Sequence, residues 1–283
     1  MKYFNIRIVM VMLSLFMVSP TFADILQKIK IGDLYYNLDE DTKEASVTCQ
    51  DKTVFDPWTP NVYYELTSVT IPENVTYKNK TYKVTAIAEY TFCGEGKLTS
   101  IVIPKTVKSI HNYAFWGCTN LSSITLPKEL TVIATSAFED CQSLTEIIIP
   151  EGVTTISFAA FGGCTKLASI TLPSTLQFIE TSAFADCPAL KSIKINATKP
   201  FPLYRGTFEQ YGNLYVPAGC KEAYENAGYW KKFNIFDSSA TGISNISSPD
   251  AQQPSTIFTL GGTRVSSLQK GVNIVNGKKV VVK

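Results

Sequence analysis

Four cysteines, Cys118, Cys141, Cys164 and Cys187, lie 23 residues apart in succession. Four thiols in register suggest either disulfides or a tetrahedral thiolate site for zinc. Both need side chains that converge. A strict repeat instead stacks equivalent residues about 4.8 Å apart along one axis with parallel side chains. Their Cβ atoms then stay beyond the roughly 3.5–4.5 Å that a disulfide requires. A straight line of sulfurs also cannot surround a tetrahedral ion. The thiols are therefore read as a ladder of small buried hydrophobes, with disulfides as the alternative. The chain has seven cysteines, so at least one is unpaired on either reading. Cys49, Cys93 and Cys220 stand outside the ladder.

Two other groups could do chemistry. Asp140 and Asp186 occupy the position before the ladder cysteine, two repeats apart. That spacing, about 9.6 Å, lies at the outer edge of the carboxylate separation in inverting glycosidases. The same position holds Gly117 and Gly163 in the other two repeats. Alternation of Gly and Asp is the signature of a tight turn, and the turn is the preferred reading. His111 is the single histidine, which excludes any site built on two. Cys118 follows it by seven residues, but the thiol slot faces inward and the histidine slot outward. No phosphate-binding loop, GxGxxG or GxSxG motif occurs. No catalytic residue, metal or cofactor is expected, and the chain is read as a non-enzyme.

Composition narrows the partners. Of 283 residues, 26 are Lys or Arg and 24 are Asp or Glu. Lys2 and Arg7 fall in residues 1–23, which carry no acid, so the remainder balances at 24 against 24. A neutral chain has no electrostatic footprint for nucleic acid or an anionic membrane. Residues 1–23 combine that positive start with an apolar core, Ile8 to Val18, and small residues ending at Ala23. This is the pattern of a secretory signal peptide, with the mature chain beginning at Asp24. Eleven residues span about 16 Å as a helix, half a bilayer. No transmembrane span is expected after signal removal.

The elements that position the thiols are repeats. LTSIVIPKTVKSIHNYAFWGCTN (98–120), LSSITLPKELTVIATSAFEDCQS (121–143), LTEIIIPEGVTTISFAAFGGCTK (144–166) and LASITLPSTLQFIETSAFADCPA (167–189) follow without a gap. The first and third share 12 of 23 residues, the second and fourth 14 of 23, so a pair of repeats is the duplicated unit. The frame is L-x-x-I-x-[IL]-P-x-x-[VL]-x-x-I-x-x-x-A-F-x-[GD]-C-x-x. An earlier coil starts at Leu66 and carries nine extra residues, read as a hairpin around Asn79-Lys80. A later coil starts at Leu190. The alternating L-x-x-I-x-[IL] segment is a short strand that Pro ends. No block buries its apolar face alone, but stacked blocks do. Phe92, Phe115, Phe138, Phe161 and Phe184 then form one buried column.

These motifs resemble the bacterial BspA-like, Treponema pallidum type, leucine-rich repeat over about residues 66–236. The resemblance implies a right-handed, β-rich solenoid of 23-residue coils and an exported surface protein. Some members of that family bind host matrix or plasma proteins. Residues 24–65 are similar to an amino-terminal β cap, 66–213 to the solenoid and 214–237 to the closing cap of Bacteroidetes members, with Tyr224 and Trp230 covering the last coil. Residues 238–256 read as a linker rich in Ser, Pro and Gln. Residues 257–283 suggest three short strands around Gly261-Gly262 and Asn276-Gly277. They resemble a type IX secretion sorting tail, which implies secretion machinery as a partner.

The main sheet offers the candidate binding face. Ser100, Val102, Ser123, Thr125, Glu146, Ile148, Ser169, Thr171, Ser192 and Lys194 alternate with the buried positions and point outward. The face is rich in hydroxyls and reads as non-aromatic. Extended solenoid faces bind macromolecules, so the expected ligand is a protein or other macromolecule, host matrix protein among them, recognised at the cell surface. Two alternatives stand beside this. Ser and Thr are also plain solvated strand formers, and the whole protein could be a structural surface-layer component without a soluble ligand.

Overall fold

The computed structural model describes residues 25–49 and 66–238, together with the backbone of short strands between 257 and 282. The signal peptide read at 1–23, the start at Asp24 and all but the first residue of the linker read at 238–256 lie outside the described residues. The chain divides into two compact units, one ending at Thr241 and one from Gly242 to Lys283.

In the first unit the repeats wind as a β-solenoid with about 23 residues per turn. Each L-x-x-I-x-[IL] segment places one strand on the main parallel sheet. Ser68–Thr70, Ser100–Val102 and Ser123–Ile124 form its first part. Glu146–Ile148, Ser169–Leu172, Ser192–Ile195, Asn213–Val216 and Asn234–Asp237 form its second. Equivalent residues pair across each step, Glu146 with Ser169 and Ser169 with Ser192. A narrower sheet of two-residue strands, Val132–Ile133, Thr155–Ile156 and Phe178–Ile179, runs along a second side. The strand Asn213–Val216 spans the boundary expected at residue 213, and the sheet continues one rung further to Asp237.

The third side is a turn, and it is the most regular part. Each of the four 23-residue coils carries two residues with positive φ there. One belongs to the Gly/Asp slot: Gly117 at 72°, Asp140 at 58°, Gly163 at 70° and Asp186 at 53°. The other precedes the Ala-Phe pair: Tyr113 at 58°, Ser136 at 52°, Ala159 at 51° and Ser182 at 60°. A left-handed L-residue costs about 1–2 kcal/mol. Here the conformation aims successive N–H groups at the next coil. Phe92 donates to the Ala114 carbonyl at 2.8 Å, and Phe115, Phe138 and Phe161 donate to those of Ala137, Ala160 and Ala183, each at 2.9 Å. The phenylalanines of these residues stack at 5.3–5.5 Å between centroids, within 12° of parallel. Phe208 extends the column on Phe184 at 4.9 Å. A Cβ on Gly163 would collide with Asp140 Oδ1, so a side chain there needs that carboxylate to swing aside.

Caps close both ends of the stack. Ile25–Ile31, Leu34–Asp39 and Glu44–Thr48 form an antiparallel meander. Its last strand pairs in parallel with Lys80–Ile87. That strand is half of a hairpin with Asn74–Tyr77, turned at Lys78 and Asn79 with φ of 47° and 62°. Two positive φ values in a two-residue loop match the twist of the flanking strands. At the other end a short helix, Lys221–Glu225, lays Tyr224 over the last coil, followed by Trp230. Both rings are buried and both polar atoms are satisfied. The Tyr224 hydroxyl donates to the Ala197 carbonyl at 2.8 Å, and the Trp230 indole to that of Phe201 at 2.6 Å.

Among the described residues the second unit shows four strands where three were expected: Ile257–Thr259, Arg264–Val265, Gly271–Val275 and Lys278–Val282. They pair antiparallel in the order second, first, third, fourth. The extra strand is Arg264–Val265, which pairs antiparallel with Ile257–Thr259. Two residues are too few to show the alternation by which strands are recognised.

Two substitutions separate the column from the turn. Phe138→Ala is expected to cost about 3–5 kcal/mol in chemical denaturation, since the ring is fully buried between two others. Ala159→Gly is expected to stabilise by roughly 0.5–1 kcal/mol, because glycine removes the left-handed penalty but adds unfolded-state entropy. A loss of stability at position 159 would show that the turn holds the residue without strain.

Candidate binding face

Alternation along each strand sorts the ten candidate residues from the core. Ile101, Ile147, Ile170 and Ile193 point inward and are buried. Ser100, Val102, Ser123, Thr125, Glu146 and Ile148 are exposed, and Ser169, Thr171, Ser192 and Lys194 are half-buried. They form two columns across the rungs. One reads Glu146, Ser169, Ser192, Asn213, Asn234. The other reads Ile148, Thr171, Lys194, Tyr215, Phe236. Val102 and Ile148 are 58% and 55% exposed.

The second column corrects one expectation. The face is aromatic at its carboxy-terminal end, where Tyr215 and Phe236 stack at 5.5 Å. Both were missed because the last rungs are shorter: Ser192 pairs with Asn213 and Asn213 with Asn234, steps of 21 residues rather than 23. The signal was present in the alternation of Leu214-Tyr215-Val216 and Ile235-Phe236, once the step is allowed to shrink.

Flanking this face, Glu151 ties three coils together. Its carboxylate accepts from the Ser174 backbone N–H at 3.0 Å, the Ser174 hydroxyl at 2.8 Å and the Asn196 amide at 3.3 Å. Burial by itself would raise its pKa, but the bonds from Ser174 and Asn196 outweigh it and hold the group below the usual carboxylate range. Lys105 pairs with Glu73 at 3.5 Å in an exposed position, a contact of little energetic weight.

The residues that could do chemistry lie elsewhere. The ladder cysteines are all buried and free. Each thiol donates to the phenylalanine carbonyl of the preceding coil: Cys118 to Phe92 at 3.0 Å, Cys141 to Phe115 at 3.3 Å, Cys164 to Phe138 at 3.2 Å and Cys187 to Phe161 at 3.1 Å. Burial pushes the Cys118, Cys141 and Cys164 thiols well above their ordinary range and Cys187 up to about 12. A thiol held protonated is a poor nucleophile and a poor metal ligand. One residue of the ladder escaped the sequence reading. Glu95 stands 23 residues before Cys118, in the thiol slot, and is 1% exposed. After burial, its charge is the next cause of the upward push on Cys118. Asp140 and Asp186 are turn residues with positive φ, and His111 is exposed, 3.3 Å from the Ser109 hydroxyl. Among the described residues no group of three or more His, Cys, Asp or Glu could hold a metal ion. No helix among them is long and apolar enough to cross a membrane.

A family model described as BspA type leucine rich repeat region matches residues 85–214 in six copies. No curated protein matches the chain. Among solved structures, the T. pallidum leucine-rich-repeat protein is 22% identical, with a TM-score of 0.50, covering 75% of this chain and 82% of its own. A leucine-rich-repeat protein from Bacteroides ovatus is 24% identical at a TM-score of 0.40, with 73% and 66% covered. A leucine-rich cell surface protein from Faecalibacterium prausnitzii is 20% identical at 0.42, with 69% and 72% covered. Repeat period, parallel register and the first of these neighbours agree that the fold is a leucine-rich-repeat solenoid.

Proposed function

We propose that this is an exported, non-enzymatic leucine-rich-repeat protein that binds another protein at the cell surface through the main sheet face. The observation that carries the reading is the exposure of Val102 and Ile148 at equivalent outward slots of the main sheet face. Solenoids bind partners on such extended repeat faces, and apolar side chains exposed there are available to apolar groups of a partner. The match to the BspA type leucine rich repeat model supports the same role. Host matrix proteins are the first ligands to test. In binding to an immobilised panel of purified matrix proteins, Val102→Glu and Ile148→Glu should each weaken capture at least about tenfold, the loss expected of an anchor. Their melting temperatures should match that of the parent, since neither side chain is buried. Undiminished capture by both variants would move binding to another face.

The proposal includes the route of export. Residues 1–23 act as a removable signal, and residues 257–283 act as a sorting signal for a second secretion step. The tail carries Arg264, Lys270, Lys278, Lys279 and Lys283 and no acid, and it lies within a compact unit of its own. Deleting 257–283 should leave the melting temperature of the solenoid unchanged and retain the protein inside the outer membrane. Normal surface abundance of the truncated chain would rule out a sorting role. Unfolding would instead make the tail a cap.

A further inference from the structure

We propose that the face takes an extended protein segment in the polyproline II conformation, laid along the solenoid axis with every third side chain on Ile148, Lys194 and Phe236. The inference rests on the reading that this face binds protein. It starts from spacing. Ile148, Thr171, Lys194, Tyr215 and Phe236 occupy successive rungs of one unbroken parallel sheet. Ile148, Lys194 and Phe236 are therefore each two rungs apart, about 9.6 Å. A polyproline II helix rises about 3.1 Å per residue with three residues per turn, so one side recurs about every 9.3 Å. Over two steps the mismatch is roughly 0.6 Å, well within side-chain adjustment.

Other backbones fit less well. In a β-strand, residues three apart point to opposite sides, and same-side residues recur near 6.8 Å. An α-helix recurs at about 5.4 Å per turn, or near 10.5 Å per seven residues, and drifts from the rungs about three times faster than polyproline II.

Chemistry agrees with spacing. Ile148 and Phe236 are 55% and 42% exposed and would receive apolar side chains. Lys194 has no ion-pair partner among the described residues and calls for an acid between them. The Tyr215–Phe236 stack, 26° from parallel, offers the flat aromatic surface on which proline rings pack. A polyproline II backbone has no internal hydrogen bonds. Beside the anchors, Ser192, Asn213 and Asn234 form a parallel column of hydroxyl and amide groups that can donate to its carbonyls.

The test uses the full chain and two synthetic nonapeptides of one composition. The matched peptide is Leu-Pro-Pro-Glu-Pro-Pro-Leu-Pro-Pro. Its Leu-to-Leu core reads the same in both directions, so orientation does not matter. The control, Leu-Pro-Glu-Pro-Leu-Pro-Pro-Pro-Pro, has a period of two. By fluorescence titration the matched peptide should bind at least about tenfold tighter, one decade in Kd. Lys194→Glu should reverse the preference between this peptide and its Glu-to-Lys analogue. Phe236→Ser should weaken binding about fivefold or more, the loss of one apolar anchor. Equal affinity for both periods, an unreversed charge preference, or no binding by either peptide at millimolar concentration overturns the inference. If Ile148→Glu still abolishes capture of a matrix protein in that event, the face binds protein in another conformation. If Val102→Glu and Ile148→Glu both leave capture intact, the underlying reading fails too.

Discussion

The structure depends on the left-handed turn before each Ala-Phe pair. It is the one stretch in which every coil is bonded to the next. The main sheet has no ladder between Ser123–Ile124 and Glu146–Ile148, and the narrow sheet has none between Ser109–Ile110 and Val132–Ile133. The turn bonds run unbroken from Phe92 through Phe115, Phe138 and Phe161 to Phe184, which donates to Thr207 at 3.1 Å. The breaks in the two sheets fall between different coils, so no pair of coils relies on the turn alone. Backbone N–H groups point forward to the next coil, while the cysteine thiols point back to the previous one. The two sets interlock, and the phenylalanine rings fill the space between them. A left-handed residue in each turn, energetically unfavourable by itself, is held in place because it satisfies donors that burial would otherwise leave unpaired.

The same regularity explains why the thiols, so suggestive in sequence, are chemically quiet. Translation along an axis brings equivalent groups close but keeps them parallel. Parallel side chains cannot converge on a metal, a disulfide partner or a substrate atom. Translation also stacks a Phe above and below every thiol neighbourhood, which removes water and raises the thiol pKa. A site of converging polar groups needs a break in the repeat. The clearest breaks in the described solenoid are Glu95 in the thiol slot and the shortened rungs that carry Tyr215 and Phe236. The first is buried, with no access for a ligand; the second is at the surface.

What was legible in sequence was whatever the period carries. Leu121, Leu144 and Leu167 share one slot and one environment, all fully buried. The facing of Ser123 against Ile147 followed from alternation, and the existence of the hairpin from turn chemistry, although its turn lies at Lys78 and Asn79, one residue earlier than the expected Asn79-Lys80. What the period does not carry was harder to read. Tyr215 and Phe236 sit where the coil loses two residues, and a frame of fixed length passes over them. Arg264–Val265 is a strand made by its partner, Ile257–Thr259, rather than by its own pattern. Glu95 was hidden because its coil was defined by Leu66 and Phe92, with no cysteine to mark the last slot.

A face built by translation imposes a period on whatever it binds. Each rung offers the same backbone geometry, so only the identities at the outward slots distinguish one register from another. If those identities were uniform, a ligand could slide from rung to rung with little change in energy. In the column from Ile148 to Phe236 they are not uniform: an aliphatic, a hydroxyl, a cation and two rings succeed one another. A cation between two apolar groups penalises any shift that places an apolar group over Lys194 or an acid over Ile148. The duplication of paired coils contributes the longer period, since it separates Val102 from Ile148 by two coils and leaves Thr125 between them. The shortened rungs end that period with an aromatic pair. On the proposed reading, selectivity resides in departures from the repeat, laid over a backbone whose uniformity the turn ladder enforces.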